Sequence, residues 1–396
     1  MLAGCHLIYF APETWDGLWR NRQQLMSVFA RYNRVLYVEN RHHLWSTAKK
    51  WWRRELEPMN FSSSPLRCVG DNLFVLRYPL WAPISGRFDH VTQRIRYHVL
   101  QQALHVLDMT DPIVWLARPT MYDLIDEIPS ACLKVYHIVD EYTTYSRQST
   151  IQRQRLMEAE KKMMARVDAV IVVSEELHRT KRTMHPHVHL VANGVNYQLY
   201  DMALHDPKLP DPIVAIKEPR LGYIGLIGDR LDLKMLLNIA QARPQWSLVF
   251  LGEVRVEQQA AYWQNLLELP NVHHLNPVEA KEVPHYVKGF QVGLMPYRQN
   301  RHARNISPLK MYDYLAAGLP IASLDIPAVE KFNRYIYIAK TPDNYLSAIE
   351  QALSESSPDR RQQLRSVAAR HSWEARAEEI STLIEFHLTV AAVGYK

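Results

Sequence analysis

The sequence predicts an α/β protein of two doubly wound domains, and three observations carry that prediction. Short apolar, β-rich runs alternate with longer helical patterns along the chain, as in βαβ units of a parallel sheet. The 396 residues exceed one typical core and suit two to three domains. A stretch holding Pro207, Pro210, Pro212 and Pro219 separates the runs into two series and reads as a linker or hinge. The first series has runs at 6–10, 35–38, 73–76, 113–116, 135–139, 169–173 and 188–192. The second has runs at 221–224, 248–251, 272–275, 292–295 and 320–324. From 373 the apolar positions Ile380, Leu383, Ile384 and Phe386 fall at helical spacing behind Ser372, a residue that can cap a helix. The expected division is therefore a first domain at 1–205, a second at 206–372 and a terminal helix at 373–396.

Composition narrows the class. Hydrophobic residues make up 47% and charged residues 22%, which describes a folded globular chain with no apolar run of membrane-spanning length. Cys5, Cys68 and Cys132 lie far apart, with no CxxC, and read as packing residues of a reducing compartment. Leu2, Ala3, Gly4 and Cys5 have the letters of a lipoprotein processing box, but only Met1 precedes them, so the match reads as accidental, with a first strand expected in the following His6 to Phe10 and a cytoplasmic setting. The net charge of +6 suits an anionic ligand, an anionic membrane surface or nucleic acid. Nucleic acid is the weakest of these, because no helix-turn-helix, zinc-finger or RNA-binding aromatic pattern is present.

Open α/β sheets bind ligands beyond the carboxyl ends of their strands, and two such sheets facing one another would form a cleft there. The most informative segment is 307–320. Ser307 is a candidate N-cap and Pro308 suits the first helical turn, where free N–H groups can meet an anion. Lys310 adds a positive charge, and Asp313 follows three residues later on the same helix face, where a carboxylate can accept from a sugar diol. Gly318 ends the helix. Gly222, Gly225 and Gly228 follow the first strand of the second series. They allow close backbone approach to a phosphate, yet their GxxGxxG spacing matches neither the dinucleotide fingerprint nor the Walker pattern. Arg230 and Lys234 flank the next helix start and read either as diphosphate contacts or as solvated surface cations.

In the first half, the run containing Lys134, His137 and Val139 ends on Asp140 and Glu141. Asp140 is the candidate general base, with a turn or cap aspartate as the alternative, and Glu141 its neighbour. His137 reads as a core histidine. Gly17, Arg20 and Arg22 lie in the loop after the first strand, where the arginines can meet acceptor or phosphate or simply face solvent. Asn193 and Gly194 follow another strand and suit a tight turn. Trp45, Lys49, Lys50, Trp51, Trp52, Arg53 and Arg54 join tryptophans to cations on one segment. Such a segment can lie peripherally on the inner face of a membrane, or form a charged helix with its tryptophans turned to the core. No residue cluster has metal-ligand spacing.

In order and spacing, several pieces resemble the GT-B glycosyltransferases, especially the family 4-like enzymes of bacterial polysaccharide and teichuronic-acid assembly. They are Trp15, Asp16 and Gly17; His137 through Glu141; Val173, Ser174 and Glu175; Asn193 through Asn196; Leu221 through Gly225; Leu269 through Val272; and Ser307 through Lys310. The resemblance implies two Rossmann-like domains, with a nucleotide sugar in the second, an acceptor in the first, and a final helix crossing back to the first. It places Asp313 at the ribose-binding acid, Lys310 at a diphosphate-binding lysine and Asp140 at the catalytic position. The chain departs from the family where the first of two paired glutamates would stand, at Asn305, and at Gln291 in place of a common aspartate. The implied function is transfer of a sugar from a nucleoside diphosphate sugar to a hydroxyl of a glycan or lipid-linked acceptor, with no metal and no other cofactor. The alternatives are a nucleotide-sugar epimerase of the same fold, or a non-catalytic, membrane-associated binding protein.

Overall fold

A computed structural model of the chain describes residues 1–17, 19–40, 64–79, 82, 84, 89–144, 148–300, 303–355 and 357–394. The segment from Trp45 to Arg54, expected either on a membrane surface or as a charged helix, lies outside the described residues. The chain divides into two compact units. Met1–Val172, Leu177–Val191 and Ala377–Lys396 form the first, and Val173–Glu176 and Ala192–Arg376 form the second.

Among the described residues the first unit has eight strands: β1 (His6–Phe10), β2 (Arg34–Val38), β3 (Leu66–Gly70), β4 (Leu73–Leu76), β5 (Ile113–Leu116), β6 (Leu133–Ile138), β7 (Ala169–Val172) and β8 (Val188–Leu190). They lie in the order β3-β4-β2-β1-β5-β6-β7-β8. Every pairing is parallel except that of β3 with β4, which runs antiparallel at the sheet edge. The chain builds outward from β1 through β2, then returns to add β5 on its other side, so the order reverses between β1 and β5. That reversal is where a doubly wound sheet opens a ligand crevice. β5 and β7 are buried at every position, as strands covered on both faces must be.

The second unit repeats the plan. Its strands are β9 (Arg220–Ile224), β10 (Ile227–Gly228), β11 (Ser247–Leu251), β12 (Val254–Arg255), β13 (Val272–Leu275), β14 (Val292–Met295), β15 (Ile321–Leu324) and β16 (Ile336–Ala339). Six form an all-parallel sheet in the order β13-β11-β9-β14-β15-β16, while β10 and β12 pair separately. The reversal here lies between β9 and β14. Two glycines let rings pack flat on these central strands. A Cβ on Gly222 would stand 1.9 Å from Phe290 Cδ2, and one on Gly293 would stand 2.5 Å from Tyr314 Cδ2. Gly222 therefore makes room for a ring rather than for a phosphate. The Tyr314 hydroxyl accepts from the Ile224 N–H at 3.1 Å and donates to the Gly222 carbonyl at 3.1 Å, pinning its helix to β9.

The proline-rich stretch does not separate the units. Ile213 and Ile216 are buried in the second core, and the preceding helix Tyr197–His205 packs there too, with Tyr200 in the same core and the Ala203 carbonyl accepting from Lys288 Nζ at 2.9 Å. The division falls at 191/192 instead of the expected 205/206, because the apolar face of that helix is buried by the second unit. The terminal helix Trp373–Gly394 begins as expected, with Ser372 Oγ accepting from the Ala375 N–H at 3.1 Å. From Ala377 onward it belongs to the first unit.

Candidate functional site

The second unit concentrates chemistry at its sheet reversal. The helix that carries Lys310 and Asp313 spans Leu309–Ala316. Ser307 is not its N-cap: Pro308 occupies that position, and the Ser307 carbonyl accepts from Asn193 Nδ2 at 2.7 Å. The neighbouring Gly194 admits a different approach, that of the 371–372 backbone, since a Cβ there would stand 2.9 Å from the His371 carbonyl oxygen. Asn196 caps the next helix by accepting from the Leu199 N–H at 3.2 Å.

Lys310 Nζ donates to Tyr223 Oη at 2.9 Å and to Tyr297 Oη at 2.8 Å. It also sits 4.2 Å from the Tyr223 ring centroid and 5.0 Å from that of Tyr297, within cation–π range. Burial works against this ammonium, but the two tyrosines outweigh it and hold the Lys310 pKa above its ordinary value. Gly225 adopts φ +99°, open to glycine, and the nearest atoms to an added Cβ would be Lys310 Nζ and Cε at 3.8 and 3.9 Å. Gly252 lets the backbone close behind it, since a Cβ there would meet the Gly225 carbonyl oxygen at 2.1 Å. Lys310 thus faces exposed backbone at the end of β9.

Asp313 lies one turn along the same helix, within the field of Lys310 and against the buried phenol of Tyr200. Burial pushes its pKa up to about 7, against the lowering effects of Tyr200 and Lys310. Of the other expected donor residues, Arg230 is exposed and acts electrostatically on Tyr223, while Lys234 stands exposed on the first turn of the helix Leu233–Ala242. Asn305 is buried. Tyr200 and Tyr297 were not among the expected residues. Tyr297 stands two positions beyond β14, at a strand end beside the reversal, and that location is the signal that marks it.

The first unit gathers a second group at the ends of β1, β5 and β6. Asp140 lies two residues past β6. Around the buried Tyr142 phenol stand Arg118, Asp140, Arg22 and Glu13, and burial raises that phenol's pKa. The Tyr142 hydroxyl donates to the Ala117 carbonyl at 2.9 Å. Arg22 is buried and paired with Glu13, whereas Arg20 is half-exposed with Nε 3.9 Å from the same carboxylate. Gly17 is exposed in the loop. Glu141 is engaged: its carboxylate accepts from Lys181 Nζ at 2.8 Å and from Thr143 Oγ1 at 2.7 Å. Lys181 also binds Glu160 at 2.8 Å. Burial alone would raise the Glu141 pKa, but Lys181 and Thr143 hold it below its ordinary value. Burial keeps the Glu160 pKa raised despite Lys181. His137 is a core histidine packed on Trp115 at 5.7 Å, its pKa lowered to about 4 by burial. Glu13 and Arg118 complete a set that the motifs alone did not single out.

Among the described residues no group of three or more His, Cys, Asp or Glu is placed to hold a metal, and no helix is long and apolar enough to cross a membrane.

Residues 232–382 match the family model described as glycosyl transferase-like. The chain is 31% identical over 245 residues to TuaH of Bacillus subtilis (strain 168), named as a teichuronic acid biosynthesis glycosyltransferase. The match covers 59% of this chain and 60% of that relative. A sucrose-phosphate synthase structure from Thermosynechococcus elongatus superposes with a TM-score of 0.67 at 12% identity, covering 98% of this chain and 100% of the other. An E. coli trehalose-6-phosphate structure bound with UDP-2-fluoro glucose gives 0.64 at 12% identity, covering 97% and 99%. The chain has the GT-B fold, and the likeness to the glycosyl transferase-like family model is confined to residues 232–382.

Proposed function

We propose that the protein is a glycosyltransferase that moves a sugar from a nucleoside diphosphate sugar to a hydroxyl of a glycan or lipid-linked acceptor in bacterial surface polysaccharide assembly. The observation that carries this reading is the juxtaposition of Lys310, Gly225 and Asp313 at the β9/β14 reversal. In the proposed complex the Lys310 ammonium and the open backbone at Gly225 take the diphosphate, and Asp313 accepts from the ribose hydroxyls. The leaving diphosphate gains negative charge as the bond from the sugar's anomeric carbon to phosphate oxygen breaks. A fixed ammonium beside it stabilises that charge more in the transition state than in the ground state. The acceptor hydroxyl forms the new bond to the anomeric carbon and gives its proton to Asp140. Glu141, tied to Lys181 and Thr143, anchors the turn that presents Asp140, while Gly17, Arg20 and Arg22 belong to the acceptor side. The scheme assigns no step to a metal ion.

The name of TuaH supports the polysaccharide setting, and the neighbour bound with UDP-2-fluoro glucose supports a nucleotide-sugar donor. The test is release of nucleoside diphosphate from a panel of nucleotide sugars, with and without polyprenyl-phosphate-linked glycans. Acceptor-dependent release that falls by about a hundredfold or more in Lys310→Ala is the expected result, by analogy with loss of one charge-stabilising donor. Conversion of the donor into an isomeric nucleotide sugar without acceptor would point to an epimerase instead.

A further inference from the structure

We propose that Tyr223 and Tyr297 are positioning residues for the donor diphosphate, their phenols holding the Lys310 ammonium in one pose beside Gly225. The inference rests on the donor-site reading of Lys310 above. The two tyrosines stand on either side of the sheet reversal, one within β9 and one just beyond β14. Tyr223 Oη donates its own proton to the Leu226 carbonyl at 2.8 Å, so toward Lys310 it acts as an acceptor. Tyr297 is set in place by a bridge between its backbone and Leu231. An ammonium has three N–H donors. The phenols take two, and the third is available on the side where Gly225 has no side chain.

A lysine has a four-carbon stem and loses much rotamer freedom when a ligand orders it. Here the stem is ordered before any ligand arrives, and two rings as well as two oxygens hold its charged end. Pre-organisation of this kind strengthens binding by lowering its entropic cost. It also commits the lysine to the phosphate position, because the phenols leave it little room to swing into solvent.

Isothermal titration of the full chain with pyrophosphate, UDP and uridine tests the proposal, using Tyr297→Phe, Tyr223→Phe, Lys310→Ala and the Tyr297→Phe/Lys310→Ala double variant. Phenylalanine keeps each ring and removes only the hydroxyl. Each single tyrosine variant is expected to weaken pyrophosphate and UDP about tenfold, the scale of one hydrogen bond to a charged group, and to leave uridine unchanged. With Lys310 already removed, Tyr297→Phe is expected to add nothing, since its effect passes through the lysine. The alkaline limb of pyrophosphate binding is expected to move to lower pH in the tyrosine variants, as the ammonium loses acceptors that favour its proton. Unchanged or tighter pyrophosphate binding in both tyrosine variants overturns the proposal, for the phenols would then be bystanders or competitors. Undiminished pyrophosphate binding in Lys310→Ala overturns the donor-site reading itself, and so is distinguishable from failure of the clamp alone.

Discussion

Asp313 and Gly222 show how single positions carry opposite kinds of constraint. Sugar hydroxyls donate to a carboxylate, so the proposed ribose contact requires Asp313 in its ionised form, and burial pushes that pKa up to about 7. Nucleotide affinity is therefore expected to rise as pH increases through about 7, with Asp313→Asn flattening the profile in a titration series. The fold responds with the opposite sign. A carboxyl whose pKa is raised on folding favours the protonated folded state, so its contribution to stability is fully present below the ordinary carboxylate range and is lost as pH rises through about 7. Gly222 serves packing alone. With a Cβ 1.9 Å from the Phe290 ring, Gly222→Ala is expected to cost about 1–3 kcal/mol or more in urea unfolding, with part of the loss recovered by Phe290→Leu. Lys310, Asp313 and Gly225 were legible in the sequence because their spacing along one helix and one strand end is local. The partners of Lys310 were not, since Tyr297 lies 13 residues away and Tyr223 87 residues away, and only the fold brings them together.

The turn after β6 depends on a buried ion triad. Lys181 satisfies both Glu141 and Glu160, so Lys181→Met leaves two carboxylates without their cation and is expected to cost about 3–5 kcal/mol near neutral pH. The deficit should shrink as pH falls and the carboxylates take up protons, which thermal melts across pH will show. Strands buried on both faces, such as β5, β7 and β9, read from sequence as continuous apolar runs. The antiparallel edge strand β3 did not, because its residues are mostly half-buried or exposed and lack an apolar run. β16, four apolar residues at the other sheet's edge with two of them half-buried, was not read as a strand either. The helix carrying Lys310 was legible, but its start was placed early: proline at the cap leaves Ser307 outside, bound through its carbonyl to Asn193.

At the scale of the whole molecule, two sheets reverse order beside their first strands, β1 and β9, and each reversal gathers charged and phenolic side chains. The alternation of apolar runs made both sheets legible. The boundary between units was not, because prolines mark a turn in the chain while burial of Tyr200, Ile213 and Ile216 decides which core a segment joins. The proposed activity requires the second unit to hold a nucleoside diphosphate sugar on Lys310 and Asp313. Thermal shift of the parent chain and of Lys310→Ala across a panel of nucleotide sugars tests it most directly, since a ligand that binds the folded state raises apparent stability by mass action. At least one nucleotide sugar is expected to raise the melting temperature of the parent, and Lys310→Ala to remove the shift; no shift with any member of the panel, or an equal shift in the variant, rules out a donor site built on Lys310.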